Sequence, residues 1–368
     1  MNALETLHDT GQRLWLDNIT KHLISSGTLA HYIDDLYVTG VTSNPTILEN
    51  AISGGSDYDS AIAAALAADI ESPQDLVFAV ALQDLVAAAD LLRPIFDASD
   101  GTDGFVSVEV APDLVDDAGA TVAAGLALFA QADRPNVLVK VPGTTAGLSA
   151  IEDLIAAGVP VNVTLLFSTA HYQAAADAYL RGLERRLADG LPLTVASVAS
   201  LFVSRWDAAV DPAVPPAQQG KTAIAVMSQT LARHHEIVDS DRWQALAAAG
   251  ASAQKPLWAS TGTKNPELSD TYYLGRLAAP GTVNTIPEAT LLAFAEHGAV
   301  CELLDPDVAG AEAMLADVAA EGVDIDALAT TLQVDGATAF RASWSALLAC
   351  MQRKVDHLRA AHDSETAR

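Results

Sequence analysis

Between residues 13 and 286 the chain repeats one pattern eight times: a short apolar, β-rich run, then a longer amphipathic stretch. The short runs are 13–17, 40–44, 105–110, 137–141, 161–167, 194–203, 256–260 and 283–286. Helical patterns occupy 74–96, 111–131, 145–157, 169–188, 222–238 and 269–276. Apolar runs of this length suit strands buried on both faces, the condition of parallel strands covered by helices. Strand–helix units in this number predict an α/β fold, a (β/α)8 TIM barrel in preference to an open sheet. The link between the second and third runs is long enough for extra helices, and 207–220 reads as a proline-rich loop. One domain is expected over 1–368, with barrel strands over 13–287 and a helical C-terminal tail over 288–368 packed on the barrel.

The net charge of −27 and a pI near 4.4 disfavour nucleic acid and anionic membranes as partners. They leave an anionic small molecule open, because the few cations can be gathered at one place. Cys301 and Cys350 sit in helical-looking segments with no CxxC spacing, which fits a reducing compartment. With no export signal visible at the start of the chain, a cytoplasmic protein is expected. The nine histidines lack ligand spacing, and HExxH, P-loop, GxGxxG and GxSxG motifs are all missing. Neither a metal nor another cofactor is called for.

Lys140 is the exception within the fourth run, Asn136-Val137-Leu138-Val139-Lys140-Val141-Pro142. An ammonium in a buried strand costs several kcal/mol, roughly, unless it is paired or loses its proton. A lysine that can lose its proton is a nucleophile towards carbonyl carbon. The ordinary alternative is a strand-end lysine whose ammonium reaches water. Strand parity tests the choice, since alternate residues share a face. In the third run Ser107 and Glu109 share a face opposite the valines, and in the fifth Asn162, Thr164 and Ser168 do. With Asp17 and Asn44 ending the first two runs, parity sends Asp17, Asn44, Glu109, Lys140, Asn162 and Thr164 into one mouth, at the C-terminal ends of the strands. Asn44 before Pro45 also reads as a helix N-cap. Arg205 follows the sixth run and Lys264 the seventh, where barrels of this kind commonly bind phosphate. In so acidic a chain the pair reads as a grip on a sugar phosphate.

Taken together, Trp15-Leu16-Asp17-Asn18, Gly40-Val41-Thr42-Ser43-Asn44-Pro45-Thr46, Val106-Ser107-Val108-Glu109-Val110, Val139-Lys140-Val141-Pro142-Gly143-Thr144, Asn162-Val163-Thr164-Leu165-Leu166-Phe167-Ser168 and Ser197-Val198-Ala199-Ser200-Leu201-Phe202-Val203-Ser204-Arg205 resemble the transaldolases, in their actinobacterial-type branch. The resemblance implies a class I aldolase barrel of the pentose phosphate pathway. Such an enzyme moves a dihydroxyacetone unit from sedoheptulose 7-phosphate to glyceraldehyde 3-phosphate, giving erythrose 4-phosphate and fructose 6-phosphate. It implies Lys140 as the Schiff-base lysine, Asp17 as the general acid/base for the C–C bond, and Glu109 with Thr164 as holders of the proton-shuttling water. Thr42, Asn44, Asn162, Ser200 and Phe202 then line the substrate, and Arg205 binds phosphate. Lys264 stands where many relatives carry a second phosphate-binding arginine, and a lysine there offers a point charge in place of a fork. Sugar phosphates are the implied partners, the enzyme itself being a monomer or a homodimer. Two rivals share much of this pattern: a fructose-6-phosphate aldolase that releases free dihydroxyacetone, and a sugar-phosphate-binding barrel without catalysis.

Overall fold

A computed structural model describes residues 2–306 and 308–366. Eight parallel strands close into a barrel in sequence order: β1 (Arg13–Leu16), β2 (Val38–Thr42), β3 (Val106–Glu109), β4 (Val137–Pro142), β5 (Val161–Leu166), β6 (Ser197–Phe202), β7 (Lys255–Ala259) and β8 (Val283–Ile286). β8 returns to pair with β1, so the sheet has no open edge. The expected TIM barrel is the observed fold, with strand bounds shifted by a few residues at most.

Parity decides what fills the barrel. Trp15, Leu138, Val198, Leu257 and Val283 point inward and pack with Phe105 into an apolar plug in the lower half of the barrel. Moving two residues along each strand keeps the same face and reaches the upper half. That step takes Trp15 to Asp17, Leu138 to Lys140 and Val198 to Ser200. The opposite face of the strands, with Val106, Val139, Val141, Val161 and Val163, meets the surrounding helices in the main core. So the apolar plug forms a floor, and polar residues stand above it.

The helices follow from local signals. Thr145–Ala157 and Thr169–Ala188 begin at Thr144 and Ser168, whose side-chain oxygens accept from the third backbone N–H beyond them. The long link after β2 folds as Pro45–Ser53, Asp59–Ala67 and Pro73–Ala98, the extra helices expected there. The tail carries Glu288–His297, Val308–Ala320 and Ile325–Thr366. That last helix packs on the helices after β2 through Trp344, Leu347, Met351 and Val355, against Leu48, Ile62, Leu76 and Val80. Among the described residues no helix is long and apolar enough to cross a membrane.

Four local readings need correction. Residues 207–220 are not loop throughout: the helix Ser204–Val210 and a 3-10 turn Asp211–Ala213 fill the first half. Asp207 anchors that stretch, accepting from Ala223 N at 2.9 Å and from the Tyr273 hydroxyl at 2.8 Å. The segment 111–131 starts its helix only at Ala118, because Asp117 caps it and Pro112–Leu114 forms a separate 3-10 turn. The segment 269–276 is helical only over Tyr272–Arg276, since the Ser269 hydroxyl takes the N–H of Thr271 in a turn. Cys301 lies outside any helix and is exposed, whereas Cys350 is buried in the last helix; both are free thiols.

Gly40 shows how tightly the barrel floor is packed. A Cβ there falls 2.5 Å from Trp15 Nε1, so the missing side chain is what lets the indole cross the barrel. Gly40→Ala is expected to destabilise the fold by roughly 1–3 kcal/mol, the usual cost of overpacking. Chemical denaturation, comparing midpoints at unchanged slope, measures it.

Candidate active site

Above the apolar floor, β3 and β4 bring Glu109 and Lys140 opposite each other as register partners. Lys140 is paired within the barrel, with a little of its side chain exposed. Its Nζ donates to Glu109 Oε1 and to the Ser43 carbonyl at 3.2 Å, and the two side chains are 13% and 9% exposed. A buried ammonium without such partners is strongly unfavourable, so the pairing accounts for a charge inside the barrel. Glu109 Oε2 is also buried, with no protein hydrogen-bond partner among the described residues. It stands beside a small cavity of about 60 Å³ that is otherwise largely apolar, with Val77, Phe78 and Trp344 among its walls.

On the adjoining strands β1 and β2, the Thr42 hydroxyl lies 3.0 Å from Asp17 Oδ1 and 2.8 Å from the Thr285 hydroxyl. On the other side of Lys140, β5 and β6 carry a buried chain of polar groups. Ser200 Oγ donates to Asn162 Oδ1 at 2.7 Å, and Asn162 Nδ2 donates to Ser107 Oγ at 3.0 Å. Thr164, 2% exposed, stands beyond Asn162 on the same face. These groups share a cavity of about 250 Å³, whose lining includes Asp17, Thr42, Asn44, Lys140, Asn162, Thr164, Ser200, Phe202, Arg205 and Lys264. A neighbouring cavity of about 150 Å³ shares Asn44, Lys140, Thr164, Phe202 and Arg205, and adds Glu109. Each residue given a site role from the sequence therefore lines one or both of these adjoining cavities.

The electrostatics follow from burial. Asp17 is pushed above the ordinary carboxylate range because loss of hydration outweighs the attraction of Lys140 and the bond from Thr42. Glu109 is raised for the same first reason, opposed by Lys140 and reinforced by Asp17. Two reluctant carboxylates thus flank one ammonium, an arrangement suited to passing protons at a carbonyl carbon. At the other end of the region Arg205 and Lys264 are exposed, and neither forms a salt bridge among the described residues. They flank the turn Ser260-Thr261-Gly262-Thr263, where Ser260 adopts a left-handed φ of 56°. The cavity they line extends back to Lys140.

Ser168 departs from parity. It caps the helix Thr169–Ala188 by accepting from His171 N at 3.1 Å and does not line the cavity. The cause is Leu165, left-handed at φ 59°, where the pairing of β5 with β6 slips between Val163 and Leu166. One residue in that conformation resets the alternation. Asn44 satisfies both of its readings, since it lines the cavity while its Oδ1 caps Pro45–Ser53 through Thr46 N. Sequence reasoning passed over Thr285, which the same parity step from Val283 reaches. It also passed over Gly336, Ala339, Phe340 and Ser343 of the last helix, which line the part of the region beside Glu109. A helical face carries no local mark of where it docks.

Comparison with known proteins bears on the same residues. The family model described as transaldolase/fructose-6-phosphate aldolase matches residues 14–351. A transaldolase of Saccharopolyspora erythraea is 44% identical over 96% of this chain and 98% of its own length. One of Thermobifida fusca is 45% identical over 94% of this chain and 96% of its own. Transaldolase 1 of Streptomyces coelicolor is 44% identical over 96% and 95%.

A buried carboxylate that binds its proton more tightly when folded lowers stability once ionised. For Asp17 the stability is complete below the unfolded value of 3.8 and is lost as pH rises through the raised folded value. Asp17→Asn, which removes the charge, is therefore expected to melt at a higher temperature than the parent at pH 8. The gap is expected to close as the pH falls towards 3.8. Thermal unfolding of both proteins across that range tests this.

Proposed function

Because the chain belongs to the transaldolase/fructose-6-phosphate aldolase family, we propose that it works as a transaldolase through an imine on Lys140. It is an enzyme, a transferase. The donor is a ketose phosphate such as sedoheptulose 7-phosphate, the acceptor an aldose phosphate such as glyceraldehyde 3-phosphate, as in the pentose phosphate pathway. The reaction is assigned to the cytoplasm, in keeping with two free thiols. The observation that carries the reading is the part-buried Lys140–Glu109 pair, with Lys140 and Asp17 on one cavity.

Lys140 must be neutral to attack, and Glu109 is the bonded neighbour that takes its proton. A carboxyl whose charged form is disfavoured is a ready acceptor and a ready donor afterwards. Nζ adds to the donor C2 carbonyl. Glu109, with a water held between it and Thr164, protonates the departing hydroxyl, and loss of water leaves the protonated imine. Asp17 then takes the C4 hydroxyl proton while the C3–C4 pair flows into the imine nitrogen. The aldose phosphate leaves, and an enamine stays on Lys140. An incoming aldehyde accepts the enamine carbon, Asp17 returns its proton to the new hydroxyl, and water frees the new ketose. The imine nitrogen holds the electron pair throughout, so the scheme calls on no metal or other cofactor. Thr42, Asn44, Asn162 and Ser200 offer hydrogen bonds to the dihydroxyacetone hydroxyls, and Arg205 with Lys264 holds the phosphate.

Phe202 bears on the choice between transfer and release. It lines the cavity and packs on Phe167 with ring centroids 5.2 Å apart. An aromatic without a hydroxyl gives hydrolytic water no hold beside the enamine, which favours the acceptor aldehyde. Fructose 6-phosphate turnover that ignored the acceptor concentration would reverse this choice in favour of the aldolase.

Borohydride reduction in the presence of fructose 6-phosphate, followed by peptide mapping, is expected to mark Lys140 alone. A mark on another lysine, or none on folded protein, sinks the mechanism. Arg205→Ala is expected to raise KM for the phosphosugar by roughly 10–100-fold, the value of one or two charge-assisted hydrogen bonds. Steady-state kinetics reads that directly, and an unchanged KM removes Arg205 from the phosphate grip.

A further inference from the structure

β4 and β5 run side by side up to the pair Pro142–Thr164, and the last ladder bond goes from Gly143 N to the Thr164 carbonyl at 2.7 Å. Beyond it the strands part. Leu165 turns left-handed, a strained conformation for a non-glycine residue that persists only when its surroundings hold it. The turn aims the carbonyls of Gly143 and Leu165 at the last helix. Gln333 meets both: its Nε2 donates to Leu165 O at 2.9 Å and to Gly143 O at 3.3 Å. A primary amide carries two hydrogens on one nitrogen, so one side chain bridges the ends of two strands. These are the strands that carry Lys140 and Thr164.

The helix is shaped to reach that position. One turn on from Gln333, a Cβ at Gly336 falls 3.1 Å from Leu165 Cδ2, so glycine lets the helix settle against the left-handed residue. Further along the same side, Ala339, Phe340 and Ser343 line the cavity beside Glu109, and Ser343 Oγ accepts from the Thr46 hydroxyl at 3.1 Å. The contact is thus continuous over three turns of helix and includes a built, directional hydrogen-bonded bridge.

We propose that Gln333 is a positioning residue for the reaction, tying the ends of β4 and β5 so that Thr164 keeps its bearing on Lys140. The last helix is then a working part of the active site. This rests on the Schiff-base reading above and deepens it. Without the bridge the left-handed turn loses the bonds that hold it, and Thr164, its immediate neighbour, loses its fixed orientation. The steps that depend on Thr164 are formation and hydrolysis of the imine. Phosphate binding at Arg205 is not among them.

Gln333→Met keeps the length and removes the N–H groups; Gln333→Glu keeps size and polarity but carries no donor when ionised. Each folded variant is expected to lose roughly 10-fold or more in kcat, the scale of a small misplacement of catalytic groups. KM for fructose 6-phosphate is expected to stay within about twofold, since phosphate binding is untouched. Borohydride trapping at Lys140 is expected to slow by the same factor as kcat. Placed in a Thr164→Val background, Gln333→Met is expected to add less than about twofold, because both changes act on one group. A lower melting temperature with unchanged kcat overturns the proposal, and so does a full, additive loss in the Thr164→Val background. Failure of the underlying mechanism reads out separately, as parent enzyme that takes no borohydride label at Lys140.

Discussion

An ammonium inside a barrel has to be held by something, and in this protein the holder is Glu109. The pair sits where β3 and β4 lie in register, above a floor of Trp15, Leu138, Val198, Leu257 and Val283. The floor keeps water from entering below, and the carboxylate keeps the ammonium from being an isolated buried charge. Each condition requires the other. A wet barrel would leave Lys140 an ordinary surface amine, and a dry one without Glu109 would expel it. Asp17 adds a second carboxylate on the same cavity, and loss of hydration disfavours its charged form as well.

Charge is placed sparingly. Against a net charge of −27, exposed Arg205 and Lys264 form no salt bridge among the described residues, while several other arginines are paired with acids. Arg134 holds Asp90, Arg185 holds Asp153 and Arg242 holds Glu184. The acidic surface discourages the nucleic acids that a basic groove attracts.

Much of this could be read from the sequence, because a strand writes its facing into alternate residues. Leu138 and Lys140, Trp15 and Asp17, Phe105, Ser107 and Glu109 obey that rule, which gathers their side chains inside the barrel. The rule failed at Ser168, where one left-handed residue reset the count, and nothing in Leu165 as a residue type announces such a conformation. It was silent on whether Lys140 would pair or reach water, since a strand end permits both. Helical segments were found by their periodicity, but periodicity names a buried face and not its destination. Gln333 looks like any polar residue of an amphipathic helix until its two carbonyl partners are seen. The part-helical stretch after β6 was hidden by its prolines, one of which, Pro212, opens a 3-10 turn.

The bridge from Gln333 spans 190 positions to Gly143 and 168 to Leu165. All eight strands precede Gln333 in the chain. During synthesis from the N-terminus, the barrel's sequence leaves the ribosome before the residue that ties its mouth does. The bridge at the barrel's mouth can therefore form only after the last helix has emerged. The mouth of the barrel is thus tied by a segment made after every strand.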